Sequence, residues 1–283
     1  MKLKILLLLF TAMLAVSTSP IIARYLDNVP AVAISFWRMG FGALILWGIS
    51  LIKKQEPLKD VNLKRTLIAG ILLGIHFALF FGSIKLTTIA NATFLGTLAP
   101  LFTLVIEKII LKRRHSATVP WGLALALCGS CVILASDFNF TSDKTIGNLL
   151  AVLCSAFLGA AFIISENVRK KEGTIIYSRT LFLSATVTLG VIAFLSHSPL
   201  LGYNRIEYGW LLLLGVIPTI FGHGSMYYTL KYVSPTIVAS TPLGEPILAS
   251  IIAWYLFLEP VGILTIIGGG ITLSGLFLLI LKR

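Results

Sequence analysis

The sequence predicts an all-α polytopic membrane protein: ten transmembrane helices arranged as two inverted-topology five-helix repeats, with both termini cytoplasmic. Three observations carry this expectation. Of 283 residues, 57 % are apolar and 12 % charged, and the mean hydropathy is +0.95, whereas a soluble domain carries about 25 % charged residues. Ten stretches of 18 or more mostly apolar residues fit the chain, each long enough to cross a ~30 Å hydrocarbon core at ~1.5 Å per residue. Basic residues then fall unevenly on the two sides of the spans so defined.

The spans are read as 4 to 23, 30 to 52, 66 to 84, 88 to 110, 118 to 136, 146 to 168, 175 to 195, 206 to 228, 235 to 257 and 261 to 281. Span one follows Lys2 and Lys4, and its start has the form of a secretory signal: an apolar run to Val16, then small residues at Ser17 to Ser19. The apolar character continues through Ala23, so the segment is expected to stay as a full span. Span two opens after Pro30 and carries Arg38. Span three repeats small residues every fourth position at Gly70, Gly74, Ala78 and Gly82, a smooth stripe that permits close helix approach. Span four is interrupted by Pro100 and span nine by Pro242 and Pro246. Spans five and six hold Cys128, Cys131 and Cys154, an odd and isolated set that suits small-residue packing better than a metal or disulfide. No metal site and no cofactor are expected.

The formal charge of +12 is accounted for by topology. With a cytoplasmic N-terminus, sixteen basic residues lie inside, among them Lys53, Lys54, Lys59, Lys64, Arg65, Lys112, Arg113, Arg114 and Lys170. Outside are Arg24, Lys85, Lys144 and Arg205. This is the positive-inside distribution, and it leaves nothing for a nucleic-acid partner to explain.

Sliding the chain against itself by 146 residues superposes Lys85 on Lys231, Pro100 on Pro246, Gly122 on Gly268 and Gly129 on Gly275. The matched prolines and glycines are the conformationally costly residues, which is the mark of a structural repeat. The halves are placed at 1 to 140 and 141 to 283, with five helices each; five is odd, so the second half enters the membrane upside down. Charge agrees with inversion: Lys112, Arg113 and Arg114 correspond to Leu258, Glu259 and Pro260. Inverted repeats point to secondary transporters, whose site lies near the midplane where the repeats meet.

Lys231-Tyr232, then Pro242-Leu243-Gly244-Glu245-Pro246, then Phe257-Leu258-Glu259-Pro260 and the glycine-rich last span, together resemble the ten-helix EamA-type exporters of the drug/metabolite transporter superfamily. The first half carries a weaker version, with Lys85 before span four and Ala99-Pro100 within it. Two departures are Ala99, where the family often has an acid, and Lys112-Arg113-Arg114 in place of an acidic turn. The resemblance implies export of small organic solutes across the cytoplasmic membrane.

Glu245 lies halfway along span nine, where a carboxylate costs roughly 2.5 to 3.5 kcal/mol on insertion scales unless protonated, paired or hydrated. It is expected to face a cavity as a proton carrier or a ligand for a substrate amine. Arg38, eight residues into span two, is too deep to snorkel freely and is read as an anion ligand, a partner of Glu245 or a packing residue. His76 and His223 occupy nearly equivalent places in the two repeats and suit a gate or proton relay, with hydrogen-bonded packing as the other reading. Tyr227, Tyr228 and Trp254 are the aromatic candidates for the pocket wall. Each proline frees the carbonyl four residues back, so Pro100, Pro242 and Pro246 mark candidate gating breaks. Glu107, Glu166 and Arg179 are expected at the interface.

The expected activity is alternating-access secondary transport of amino-acid- or drug-like solutes, with protons as the candidate coupling ion and the lipid bilayer as surroundings. A passive facilitator or exchanger of the same fold is the alternative. An intramembrane enzyme is the distant one, since the chain has no HExxH, GxSxG or P-loop motif.

Overall fold

The structure is a computed structural model that describes residues 2–135, 141–258 and 261–281. The Glu259-Pro260 pair and the terminal Lys282 and Arg283 lie outside the described residues. The described residues of the ten expected spans are helical except at short interruptions in spans four and nine and at some span ends, in keeping with a solvent that cannot satisfy backbone groups and so forces each segment to bond internally. Single helices are α1 (Lys2–Ala23), α2 (Ala31–Ile52) and α3 (Asp60–Leu86). Span four is split into α4 (Ile89–Gly96) and α5 (Ala99–Val105), which runs on as a π-helical turn over Ile106–Ile110. Then follow α6 (Thr118–Leu134), α7 (Thr145–Arg169) and α8 (Thr174–Leu195).

In span eight, α9 (Arg205–Leu214) leads through a π-helical segment, Gly215–His223, into α10 (Gly224–Thr229). Span nine consists of α11 (Pro235–Ala239), a 3-10 turn over Thr241–Gly244 and α12 (Glu245–Phe257); α13 (Ile263–Leu281) completes the bundle. Eight of the spans are long and apolar enough to cross a bilayer, and the two shorter apolar helices are the fifth of each half. The largest departure from the expected bounds is α3, which begins at Asp60 and so takes Lys64 and Arg65 into its first turns.

The two breaks explain themselves. Thr97 and Leu98 interrupt span four just before Pro100, which then sits in the first turn of α5, where a missing N–H costs nothing. Pro242 and Pro246 likewise sit in the first turns of the 3-10 segment and of α12. Adding the repeat offset of 146 to Gly96 and Ala99 gives Pro242 and Glu245, so the two halves break at equivalent points. The π segment has a different cause. Pro218 frees the carbonyl of Leu214, and the Thr219 hydroxyl donates to that carbonyl at 2.9 Å.

The repeat is also visible in packing. Against α13, a Cβ on Gly122 would lie 2.9 Å from the Gly275 carbonyl oxygen, and one on Gly268 would lie 2.6 Å from the Gly129 carbonyl oxygen. Gly122 thus meets Gly275 while Gly129 meets Gly268. Since Gly122 corresponds to Gly268 and Gly129 to Gly275, this reciprocal pairing is what a pseudo-two-fold axis between repeats produces. The stripe on α3 serves the same purpose: a Cβ on Gly70 would lie 2.7 Å from the Leu181 carbonyl oxygen of α8. Large apolar side chains such as Leu44, Trp121 and Phe194 stay exposed on the outside, as a lipid-facing surface requires.

A candidate substrate chamber between the repeats

The two helix breaks face a common chamber in the middle of the bundle. Its wall includes Arg38 from α2, His76 from α3, Gly96 and Thr97 at the first break, His223 before α10, and Pro242 and Glu245 at the second break. Five of the residues singled out in the sequence therefore converge, although they are drawn from four different spans. The space measures about 60 Å³, room for a few waters at ~10 to 15 Å³ of such volume each.

Arg38 is 3 % exposed. Its Nε donates to Thr219 Oγ1 at 2.9 Å and its Nη1 to Ser19 Oγ at 3.1 Å. The guanidinium also lies over the Phe77 ring, 4.5 Å from the centroid. The freed carbonyl of Leu214, the Thr219 hydroxyl and Arg38 form one hydrogen-bonded chain, which orients the guanidinium in the chamber wall.

Glu245 is half-buried, and among the described residues its carboxylate neither accepts a hydrogen bond nor forms an ion pair within 4.0 Å. Arg38 and Glu245 share the chamber without direct contact. A carboxylate left open beside a fixed guanidinium is suited to a proton, water or a cationic group of a solute.

His76 is bound differently from His223. Its Nδ1 lies 2.8 Å from the Cys154 carbonyl oxygen, an acceptor, so Nδ1 carries the proton and a neutral ring keeps Nε2 as an acceptor. His223 is 5 % exposed and its Nδ1 has no partner; Phe77 packs edge-on against the ring at 5.4 Å.

The aromatic candidates separate. Tyr227 is fully buried among Phe162, Tyr177 and Phe182, outside the chamber wall, with an unpartnered hydroxyl. Tyr228 sits at another cleft, where it contacts Lys4 and Tyr232. Trp254 is 53 % exposed on the outside of α12. Of the proline candidates, Pro242 lines the chamber, while Pro100 and Pro246 are buried at the starts of α5 and α12. Thr219 and Ser19, which hold Arg38, were not anticipated; the Pro218-Thr219 pair in the middle of span eight is the signal that points to the first.

At the end of the bundle that carries the basic clusters, side-chain contacts tie the two repeats together. Glu107, expected at the interface, is fully buried. It accepts from Thr236 Oγ1 at 2.5 Å and pairs with Arg113 at 2.7 Å, while Arg113 also pairs with Glu166 at 2.7 Å. Lys170 reaches Glu166 at 2.8 Å, and Asn62 donates to Glu172 at 2.6 Å. Partial burial lowers the affinity of Arg113 for its proton, but the carboxylates of Glu166 and Glu107 more than reverse this and hold its pKa above the ordinary arginine value. Arg179 donates to Ser50 and to the Glu56 carbonyl oxygen at 2.9 Å, again joining the second half to the first.

Comparison with known proteins gives the family and the shared fold. The chain is 23 % identical over 248 residues to the pseudopaline exporter CntI of Pseudomonas aeruginosa, covering 86 % of this chain and 83 % of that one. It is 26 % identical over 258 residues to the uncharacterized transporter YdfC of Bacillus subtilis, covering 86 % and 79 %. A crystal structure with 18 % identity superposes at a TM-score of 0.84 over 97 % of this chain and 96 % of its own, which shows a shared fold. The model of the EamA-like transporter family matches twice, at residues 3–135 and 145–281, so that with its helix breaks and chamber in register with that duplication, the chain belongs to the EamA-like transporter family.

Proposed function

We propose that this protein is a secondary transporter that exports small organic solutes bearing a cationic group, an anionic group or both, by alternating access between its repeats. The observation that carries the reading is the chamber itself: Arg38 of the unbroken α2 and Glu245 at the second helix break share its wall without pairing with each other. A fixed guanidinium orients an anionic group, and an open carboxylate takes an amine or a proton. Arg38, His76 and His223 are each no more than 6 % exposed, so loading a solute between them requires one end of the bundle to open. The inter-repeat contacts at the basic end then form the closed inner gate, and the exporter among the relatives supports outward transport.

The reading further places the protein in the cytoplasmic membrane with repeats at 1 to 140 and 141 to 283 and both termini cytoplasmic. Reporter fusions after Lys59 and at the C-terminus are expected to report cytoplasm, and one after Lys144 the opposite side. A C-terminus on the far side from Lys59 would remove the ten-span inverted arrangement. Reconstituted into vesicles, the protein is expected to accumulate an amino-acid-like solute uphill when a pH gradient is imposed. Equilibration alone, unaltered by the gradient, would replace coupled transport with the facilitator reading.

A further inference from the structure

A second cleft lies away from the chamber, in a gap between α1 and α8 that is floored by α2 and the span-eight helix. Its volume is about 360 Å³. The lining is graded along the bundle axis. At the mouth are Lys4, Thr174 and Tyr228; one turn deeper are Leu8, Ser178 and Ser225; at the bottom are Leu46 and Ile220. The mouth opens at the end of the bundle where the basic residues cluster.

Several features there call for an anion. Lys4 Nζ uses one donor on the Tyr228 hydroxyl at 3.2 Å, and an ammonium has three. Thr174 and Ile175, which line the cleft, are the first residues of the 22-residue α8, and its N-cap, Gly173, supplies no side-chain cap, so the first-turn amides at this edge of the cleft are left without a side-chain partner. A second cation, Arg169, donates to the Thr174 hydroxyl at 2.6 Å. Independently of the helix end, Ser178 lines the cleft at 1 % exposure with a hydroxyl that has no partner. A buried orphan hydroxyl costs about 1 to 3 kcal/mol of desolvation, and a small turn of the Ser178 side chain would bring it to the cleft that the residue lines.

We propose that this cleft binds an anionic phospholipid, its phosphate held by Lys4, the α8 N-terminus and the serine hydroxyls and its first acyl carbons lying along Leu8, Leu46 and Ile220. The grading selects an amphiphile over a free anion, because polar groups occupy the mouth and apolar ones the depth, as in a lipid standing in one leaflet. The cleft shares no lining residue with the chamber, so the site is independent of the transport reading.

The test uses the purified full-length protein in detergent, with retained lipid read by native mass spectrometry after exposure to phosphatidylglycerol or phosphatidylcholine. Wild type is expected to retain phosphatidylglycerol in preference. Lys4→Ala is expected to weaken retention about fivefold, the factor that follows from ~1 kcal/mol per basic residue near a membrane surface. Ser225→Phe, which fills the cleft without removing a charge, is expected to abolish it, and Lys171→Ala at the same end to leave it unchanged. Lys4 is exposed, so its variant does not put folding at risk. Equal retention by wild type, Lys4→Ala and Ser225→Phe, or displacement of the lipid by millimolar inorganic phosphate with the same thermal stabilisation, would overturn the assignment.

Discussion

Arg38→Ala is expected to lower transport at least tenfold at equal membrane abundance, and Arg38→Lys to restore part of the loss. The size follows from what the guanidinium does. It is 3 % exposed and donates to Thr219 in the second repeat and to Ser19 in α1. Hydrogen bonds to charged groups contribute about 1.5 to 3 kcal/mol each. A tenfold change needs ~1.4 kcal/mol, less than one such bond supplies. Lysine keeps a positive charge near Glu245 but lacks the planar fork that engages Thr219 and Ser19 together. Thr219→Val is the companion test. It leaves the charge in place, frees the Leu214 carbonyl and the Arg38 Nε, and is expected to reproduce part of the Arg38→Ala loss. Normal flux in Arg38→Ala at normal abundance would reduce Arg38 to a packing residue.

The sequence made the bundle readable because its costly residues are few. Prolines and glycines matched at an offset of 146 fall at helix breaks and at backbone contacts between α6 and α13, where other side chains would collide. A charge or imidazole in an apolar span is costly as well, which is why Arg38, His76, His223 and Glu245 were recognisable and why they meet in one chamber. The aromatics carried no such signal, since a span that is apolar all round does not mark its inner face. Helix period would have served better: Trp254 is nine residues beyond Glu245, two and a half turns at about 3.6 residues per turn, and so on the opposite side of α12. The Glu107, Arg113 and Glu166 cluster was illegible for another reason. It joins a span end, a loop and a helix of the other repeat, and only tertiary packing brings those together.

Glu245→Gln is expected to abolish pH-driven uphill transport while sparing exchange of solute between the two sides. Glutamine keeps the shape of the side chain and its hydrogen-bonding capacity but cannot titrate, so the change separates proton chemistry from packing. The structure makes this separation clean. Among the described residues no donor holds the Glu245 carboxylate, so the substitution breaks no protein contact, in contrast to Arg38→Ala, which breaks two. The charged and titratable groups sharing the chamber with it are Arg38, His76 and His223. With the carboxylate ionised, Arg38 is offset; protonated, the chamber gains net positive charge. A gate whose two states differ in this charge is coupled to the proton, and one fixed neutral by glutamine is not. Exchange needs no net change of protonation and survives. Should uphill transport, exchange and solute affinity all fall together, Glu245 binds a substrate amine instead. Uphill transport and exchange both at the wild-type level, measured at equal abundance, would reject both roles and leave Glu245 as a residue that only shapes the second helix break.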